Sequence, residues 1–294
     1  MYLKSETKEF LKNPFNYSGG KYKLLPQLSK YFPNTDNINI FIDLFVGGGD
    51  VSFNIVADKI ICNDKNAQLI DIYKNMDDSF ISEVDYIINE YELNKTNKEG
   101  FLSLRQAYNQ SLDTTSSRDK AVMLYALLCH SFNNQIAFNR KGEFNTPFGL
   151  NRSEFNYSLR FKVSKYINKI KNTDIDFVSK DFTEFDFSKF DPDSTFIYVD
   201  PPYLISTGAY ERSADCKWSE EKEQQLYMLL DTLNAKGYKW ALSNVLEHKG
   251  KENLYLKEFC KKHNIYYLDK NYKNCSYQCK SNDKITKEVL ITNY

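Results

Sequence analysis

Apolar positions fall into short strand-like runs near both ends of the chain and into helix-spaced sets between them. A loop, Tyr17-Ser18-Gly19-Gly20-Lys21, precedes a short amphipathic helix predicted over 22–31. Residues 39–45 (NIFIDLF) are a compact β-branched and aromatic run and predict a strand. Gly47-Gly48-Gly49 interrupts it, Asp50 is placed to cap a helix through Val56, and 59–62 predicts a second strand ending at Asn63-Asp64. From Asn66 to about Tyr157 the spacing is helical, clearest at 101–110 and 120–132. Within it, QIAFNRKGEFNTPFG (135–149) reads as a β-hairpin turning at Lys141-Gly142. Strand signals return at 175–179, 195–199 and 238–242, separated by helical stretches, and a last strand at 288–292 completes the pattern.

Strands alternating with helices at both ends predict an α/β fold, with a mainly helical subdomain carrying the hairpin inserted into a Rossmann-like sheet. The expected division is a discontinuous sheet domain over 1–66 and 158–294 and an insertion over 67–157. Internal repeats and low-complexity linkers are absent from the sequence.

Charge adds something only when it is divided along the chain, because 39 basic and 39 acidic side chains cancel. Phe101 to Asn172 carries eleven Lys/Arg against four acids, and Thr173 to Asp200 eight acids against two lysines. A basic segment beside an acidic one implies that the first meets a polyanion and the second does not, although chance clustering on a solvated face gives the same count. The opening MYLKSETKEFLK has no apolar run of a signal peptide, and nothing approaches the ~20 apolar residues of a membrane helix. A cytoplasmic protein without a membrane partner is expected. The six cysteines (62, 129, 216, 260, 275, 279) form no C-x-x-C pair; Cys275, Cys279 and His263 fall short of a closed zinc set, so no metal is expected.

The strongest chemical signal is Asp200-Pro201-Pro202-Tyr203 directly after TFIYV. Ligands of open α/β sheets sit at the carboxyl ends of strands. An exocyclic amine on a base is a poor nucleophile, because its lone pair is delocalised into the ring. A carboxylate and a backbone carbonyl, each accepting one N–H, draw the nitrogen toward a tetrahedral geometry and localise that pair. Asp200 can supply the carboxylate and Pro201 the carbonyl; the consecutive prolines fix the backbone, and Tyr203 offers a flat face for a base. The second signal is Phe41 to Gly49. Its glycines let a cofactor approach the backbone, and Asp64, at the end of the next strand, is placed to accept from a ribose. Alone, this loop suits a nicotinamide cofactor almost as well.

Taken together, Tyr17–Lys21, the F-x-G-G-G loop, N-R-K-G-E-F-N-T-P-F-G, D-P-P-Y and the ending T-K-E-V-L-I-T-N-Y resemble the DNA adenine N6-methyltransferases of the Dam type, in that family's order and over nearly the whole chain. The resemblance implies a Rossmann-like methyltransferase sheet, S-adenosyl-L-methionine as cofactor, and methyl transfer to a flipped-out adenine of double-stranded DNA. A cognate restriction endonuclease is a further partner that the family allows; oligomeric state is left open. Asp200, Pro201, Pro202 and Tyr203 become the catalytic set. Tyr17, Gly19, Gly20, Lys21, Asp43, Phe45, Gly47, Gly48, Gly49, Asp64, Asp181, Phe182 and Asp200 become the cofactor site, with Asp43 and the glycines at the methionine moiety and Asp64 at the ribose. Asn139, Arg140, Lys141 and Asn145 become DNA contacts on the hairpin. Ser243-Asn244 and Lys280-Ser281-Asn282 are implied to border the substrate pocket.

Two positions depart from members that read GATC, which carry a lysine before the first-loop aromatic and an arginine in the hairpin's first strand. This chain has Asn16 and Ala137 there, so a different recognition site is expected. The alternatives are N4-methylation of cytosine, a nicotinamide-linked oxidoreductase, and a DNA-binding module without catalysis. His130, His248 and His263 lack a nucleophile partner and are expected to be packed or surface residues.

Overall fold

The computed structural model describes residues 2–3, 10–15, 19–33, 38–111, 115–205, 218–269 and 286–294. The elements run β1 (Tyr2–Leu3), α1 (Leu25–Tyr31), β2 (Ile40–Asp43), β3 (Ile55–Val56), β4 (Lys59–Asn63), α2 (Ala67–Lys74), α3 (Phe80–Glu90), α4 (Lys98–Gln110), α5 (Ser117–His130) and α6 (Tyr157–Lys171). There follow β5 (Asp174–Val178), β6 (Thr195–Val199), α7 (Glu220–Ala235), β7 (Lys239–His248), β8 (Lys251–Glu252), α8 (Leu254–Cys260), β9 (Asn264–Leu268) and β10 (Thr286–Thr292).

The central sheet has the order β5-β4-β2-β6-β7-β10-β9, with β8 paired to β7. Its first five strands are parallel, and β10 is antiparallel to both β7 and β9. β6 is buried along its whole length, as a central strand covered on both faces must be. Side-chain alternation assigns the two faces. Phe41, Ile60, Phe196 and Leu290 join one apolar core with α2, α5 and α6, while Ile42, Ile61, Ile197 and Ile291 join another with α7 and α8. α5 is buried from Ala121 to His130, so it runs through the centre of the first core. The N-termini of α2, α4, α5, α6, α7 and α8 are each capped by an Asn or Ser side chain accepting from the third residue on.

The α/β class and the strands at 39–45, 59–62, 175–179, 195–199, 238–242 and 288–292 are as expected. The helix from Asp50 to Val56 is not formed. Phe53 N–H reaches Gly49 O and Ile55 N–H reaches Val51 O, but the chain then turns out as β3 to pair with β1. The cause is long-range: Asp50 accepts from Asn13 and Tyr22, and Asn54 is clasped to Leu11. β9, which pairs along β10 at the sheet edge, was not expected from sequence. Residues 135–149 turn as predicted, but are held by the isolated bridges Phe138–Phe144 and Ser131–Phe148 rather than by extended strands. No helix among the described residues is long and apolar enough to cross a membrane.

Candidate active site

Parallel strands β2, β4, β6 and β7 end on one edge of the sheet, and the loops leaving that edge carry the predicted residues. Asp200 follows β6 directly. Its Oδ2 lies 2.8 Å from the Lys21 ammonium and its Oδ1 accepts from the Tyr203 hydroxyl at 2.9 Å. Burial pushes the Asp200 carboxyl up, Lys21 opposes that shift, and the nearby charge of Glu288 adds to it. Lys21 is itself buried. Desolvation disfavours its ammonium, but Asp200 and Glu288 outweigh the loss and hold its pKa above the ordinary lysine value. Lys21 also donates to Gly19 O at 2.9 Å and stands 5.0 Å from the centre of the Tyr203 ring. The structure thus brings Lys21, assigned from sequence to the cofactor loop, onto the Asp200 carboxylate. A carboxylate oxygen has two lone pairs, so each Asp200 oxygen can accept one further hydrogen from an amine.

The glycine loop is fixed from beneath. Gly47 N–H donates to Asp64 Oδ2 at 3.0 Å, Tyr73 donates to Gly47 O at 2.8 Å, and Tyr166 to Gly48 O at 3.3 Å. Gly49 has a φ of +77°, and a Cβ there would lie 2.8 Å from the Phe53 ring, so both conformation and space require glycine. Asp64 spends its second oxygen on Asn66 N–H, and burial pushes its carboxyl up. Asp43, 2 % exposed, accepts from the Ser52 hydroxyl on Oδ2, while its buried Oδ1 has no partner in the structure. Burial pushes this carboxyl up to about 7, against hydrogen bonds from Ser52 and the Phe45 backbone and with further contributions from Asp200 and Asp64.

Beyond the glycines, Phe45 and Phe182 are joined by Trp218. The three ring centroids lie 5.6–5.7 Å apart in every pairing. Trp218 was not singled out in sequence. Its indole donates to Glu223, a fully buried carboxylate that also accepts from Tyr227, Asn244 and Asn253. Asn244 therefore braces the aromatic wall, while Ser243 meets the Tyr198 hydroxyl at 2.8 Å beneath Asp200. Asp181 lies 3.2 Å from Lys65 and 2.9 Å from Lys222 and caps the turn at Thr183. Burial opposes its charge, but Lys222, Thr183 and Lys65 prevail and hold the carboxyl well below its ordinary range. Tyr17, Asn16 and Lys280–Asn282 lie outside the described residues.

The hairpin residues are elsewhere, on a tip fastened to α4 by the paired bonds of Asn109 with Phe144. Asn139 accepts from Lys141 N–H and Glu143 N–H and donates to Glu143, so its amide builds the turn. Arg140, Lys141 and Asn145 are exposed. Part of the charge asymmetry is spent internally: Arg118 pairs with Asp77 and Glu83, Arg160 with Asp85, and Lys171 with Asp78. The window from Phe101 to Asn172 omitted those acids. His130 is packed with Nδ1 2.9 Å from Ala126 O, and no cluster among the described residues could hold a metal ion.

A mostly parallel sheet with a glycine loop after one strand and D-P-P-Y after its neighbour defines the Rossmann-like methyltransferase class. The D12 class N6 adenine-specific DNA methyltransferase family model matches residues 17–274, and the chain belongs to that family. It is similar to modification methylase StsI of Streptococcus sanguinis, 41% identical over 298 residues, 99% of this chain and 44% of that protein. Type II methyltransferase M.FokI of Planomicrobium okeanokoites is 41% identical over 297 residues, with the same shares. The chain therefore spans less than half the length of these two relatives. Type II methyltransferase M1.LlaDCHI of Lactococcus lactis subsp. cremoris is 31% identical over 96% of this chain and 95% of its own.

Proposed function

We propose that this chain transfers a methyl group from S-adenosyl-L-methionine to the exocyclic N6 of an adenine turned out of duplex DNA. The observation that carries the reading is Asp200, held at the carboxyl edge of β6 by Lys21 and Tyr203 beside a glycine loop. The cofactor, when bound, supplies an electrophilic sulfonium methyl. Three features fit it: the unpartnered Asp43 Oδ1 suits its ammonium, the cradle at Gly47–Gly49 its methionine moiety, and the Phe45–Phe182–Trp218 wall its purine. Asp64 accepts one N–H on each oxygen and keeps lone pairs that would accept from a ribose hydroxyl. Asp200 and the Pro201 carbonyl accept the amine hydrogens, localise the nitrogen lone pair, and give the attacking atom its direction.

The insertion over 67–157 begins at the first residue of α2 and ends at the first residue of α6, and it carries the exposed hairpin. That placement supports target recognition as its task. Replacing Arg140 and Lys141 together with alanine should weaken DNA binding and reduce its salt slope by about two, because each phosphate neutralised releases counterions. Cofactor affinity should not change. A titration against salt that returns the parent slope would remove the hairpin from the DNA backbone.

Purified protein, unmodified genomic DNA and S-adenosyl-L-methionine should yield N6-methyladenine, mapped by single-molecule sequencing to a consensus other than GATC. A bidentate arginine–guanine contact gives ~1–3 kcal/mol of discrimination, and Ala137 cannot make one. Methylation confined to GATC would refute the specificity reading; modified cytosine, or no modification, would refute the activity. Relatives named modification methylase or type II methyltransferase support work beside a restriction endonuclease.

A further inference from the structure

Glu288 opens the last strand that the sequence predicts, at 288–292, yet it is 1 % exposed and faces the active site. β10 runs against β7, so its first residues emerge at the edge where the parallel strands end. The pairing slips there: Lys287 faces Glu247 but Glu288 faces Val245, leaving Leu246 as an extra residue in β7. Such a bulge re-aims the side chain beside it. Glu288 Oε1 consequently lies 3.7 Å from the Lys21 ammonium and accepts from the Tyr203 hydroxyl at 3.3 Å, the same two groups that hold Asp200.

We propose that Glu288 is a positioning residue for methyl transfer, dividing the charge of Lys21 between two carboxylates so that Asp200 stays anchored but not neutralised. The inference rests on the methyltransferase reading above. With Glu288 in place, one ammonium serves two carboxylates; the neighbouring charge makes Asp200 the stronger base, and Lys21 competes less with an incoming amine for it. In the step, the nitrogen lone pair forms the N–C bond, the C–S bond breaks with its electrons passing to sulfur, and the displaced amine proton leaves through Asp200 to solvent. Without the second carboxylate, Lys21 pairs with Asp200 alone and competes with the amine for it. The ionisable groups around Lys21, Glu288 and Asp200 among the described residues are Asp43 from β2, Asp50 from the following turn, Tyr198 from β6, and Tyr203.

The test is Glu288→Gln, which keeps shape and removes charge. Activity needs ionised Asp200. Loss of a neighbouring negative charge should therefore move the acid limb of the kcat–pH profile about one unit lower and reduce kcat roughly tenfold near neutrality. KM for S-adenosyl-L-methionine should hold. Glu288→Asp, which draws the charge back by one methylene, should fall between and decides the matter alone if the glutamine variant does not fold. A fall in kcat with an unmoved acid limb would reduce Glu288 to a structural role, and parent kinetics would overturn the proposal outright. Carbon-13 titration of the Asp200 carboxyl, without DNA, reads the same shift independently of turnover. A wild-type chain that methylates no DNA thus defeats the functional reading, whereas an unmoved Asp200 titration in Glu288→Gln defeats only this one.

Discussion

Asp200→Ala is expected to lower methyl transfer by about 10²–10³-fold or more at saturating cofactor, the usual consequence of removing a preorganised group aimed at developing charge. On the proposed reading the amine nitrogen becomes tetrahedral as it attacks, and Asp200 would be its acceptor. The loss should fall on turnover. Lys21 keeps Glu288 as a carboxylate partner at 3.7 Å and Gly19 O as an acceptor, so the ammonium is not stranded and the fold survives. Asp200→Asn separates charge from shape: its carbonyl can still accept one N–H, but its amide must then face the Lys21 donor. It should remain near the alanine variant. Single-turnover assays read chemistry apart from product release, and a rate within tenfold of wild type for Asp200→Ala would defeat the catalytic assignment.

The parts of this site legible in sequence are those whose physics is local. Asp200-Pro201-Pro202-Tyr203 follows a buried strand and announces a strand-end turn; Gly47–Gly49 announces a backbone that other groups approach. What escaped depends on contacts distant along the chain. Trp218 meets Phe45 and Phe182 only once β2, the turn at Phe182 and the start of α7 are assembled. Asp50 had the right type for a helix cap, but Asn13 and Tyr22 claimed its carboxylate from 37 and 28 residues away. Glu288 did carry a signal, an acid set directly before the apolar run Val289–Ile291, and a buried carboxylate without partners is costly enough to demand them. The charge count overstated the free basic charge for a related reason, since Arg118 and Arg160 find their acids on the helix before the window opened.

Asp43→Asn should give a more stable protein that holds its cofactor far less well. Asp43 is buried with Oδ1 unpartnered, and burial pushes its carboxyl up to about 7. A carboxyl raised on folding binds more protons folded than unfolded between pH ~4 and ~7, so stability falls as pH rises through that window and levels off above it. At pH 8 the ionised group costs the apo protein on the order of 4 kcal/mol. Asparagine removes the charge and recovers part of this, a gain of roughly 2–8 °C in Tm at pH 8 that should shrink toward pH 5. On the proposed reading a cation offsets this cost: the ammonium of S-adenosyl-L-methionine would pair with Asp43 Oδ1, which has no partner in the structure. Truncating one partner of such a buried pair loses about 2–5 kcal/mol, roughly 30-fold to 10³-fold or more in affinity. Calorimetry should show wild-type affinity rising from pH 6 to pH 8 as Asp43 ionises, with the asparagine variant flat across that range. A variant less stable than wild type at pH 8 would contradict the burial argument. One that binds as wild type does, with the same pH slope, would move the cofactor's ammonium away from Asp43.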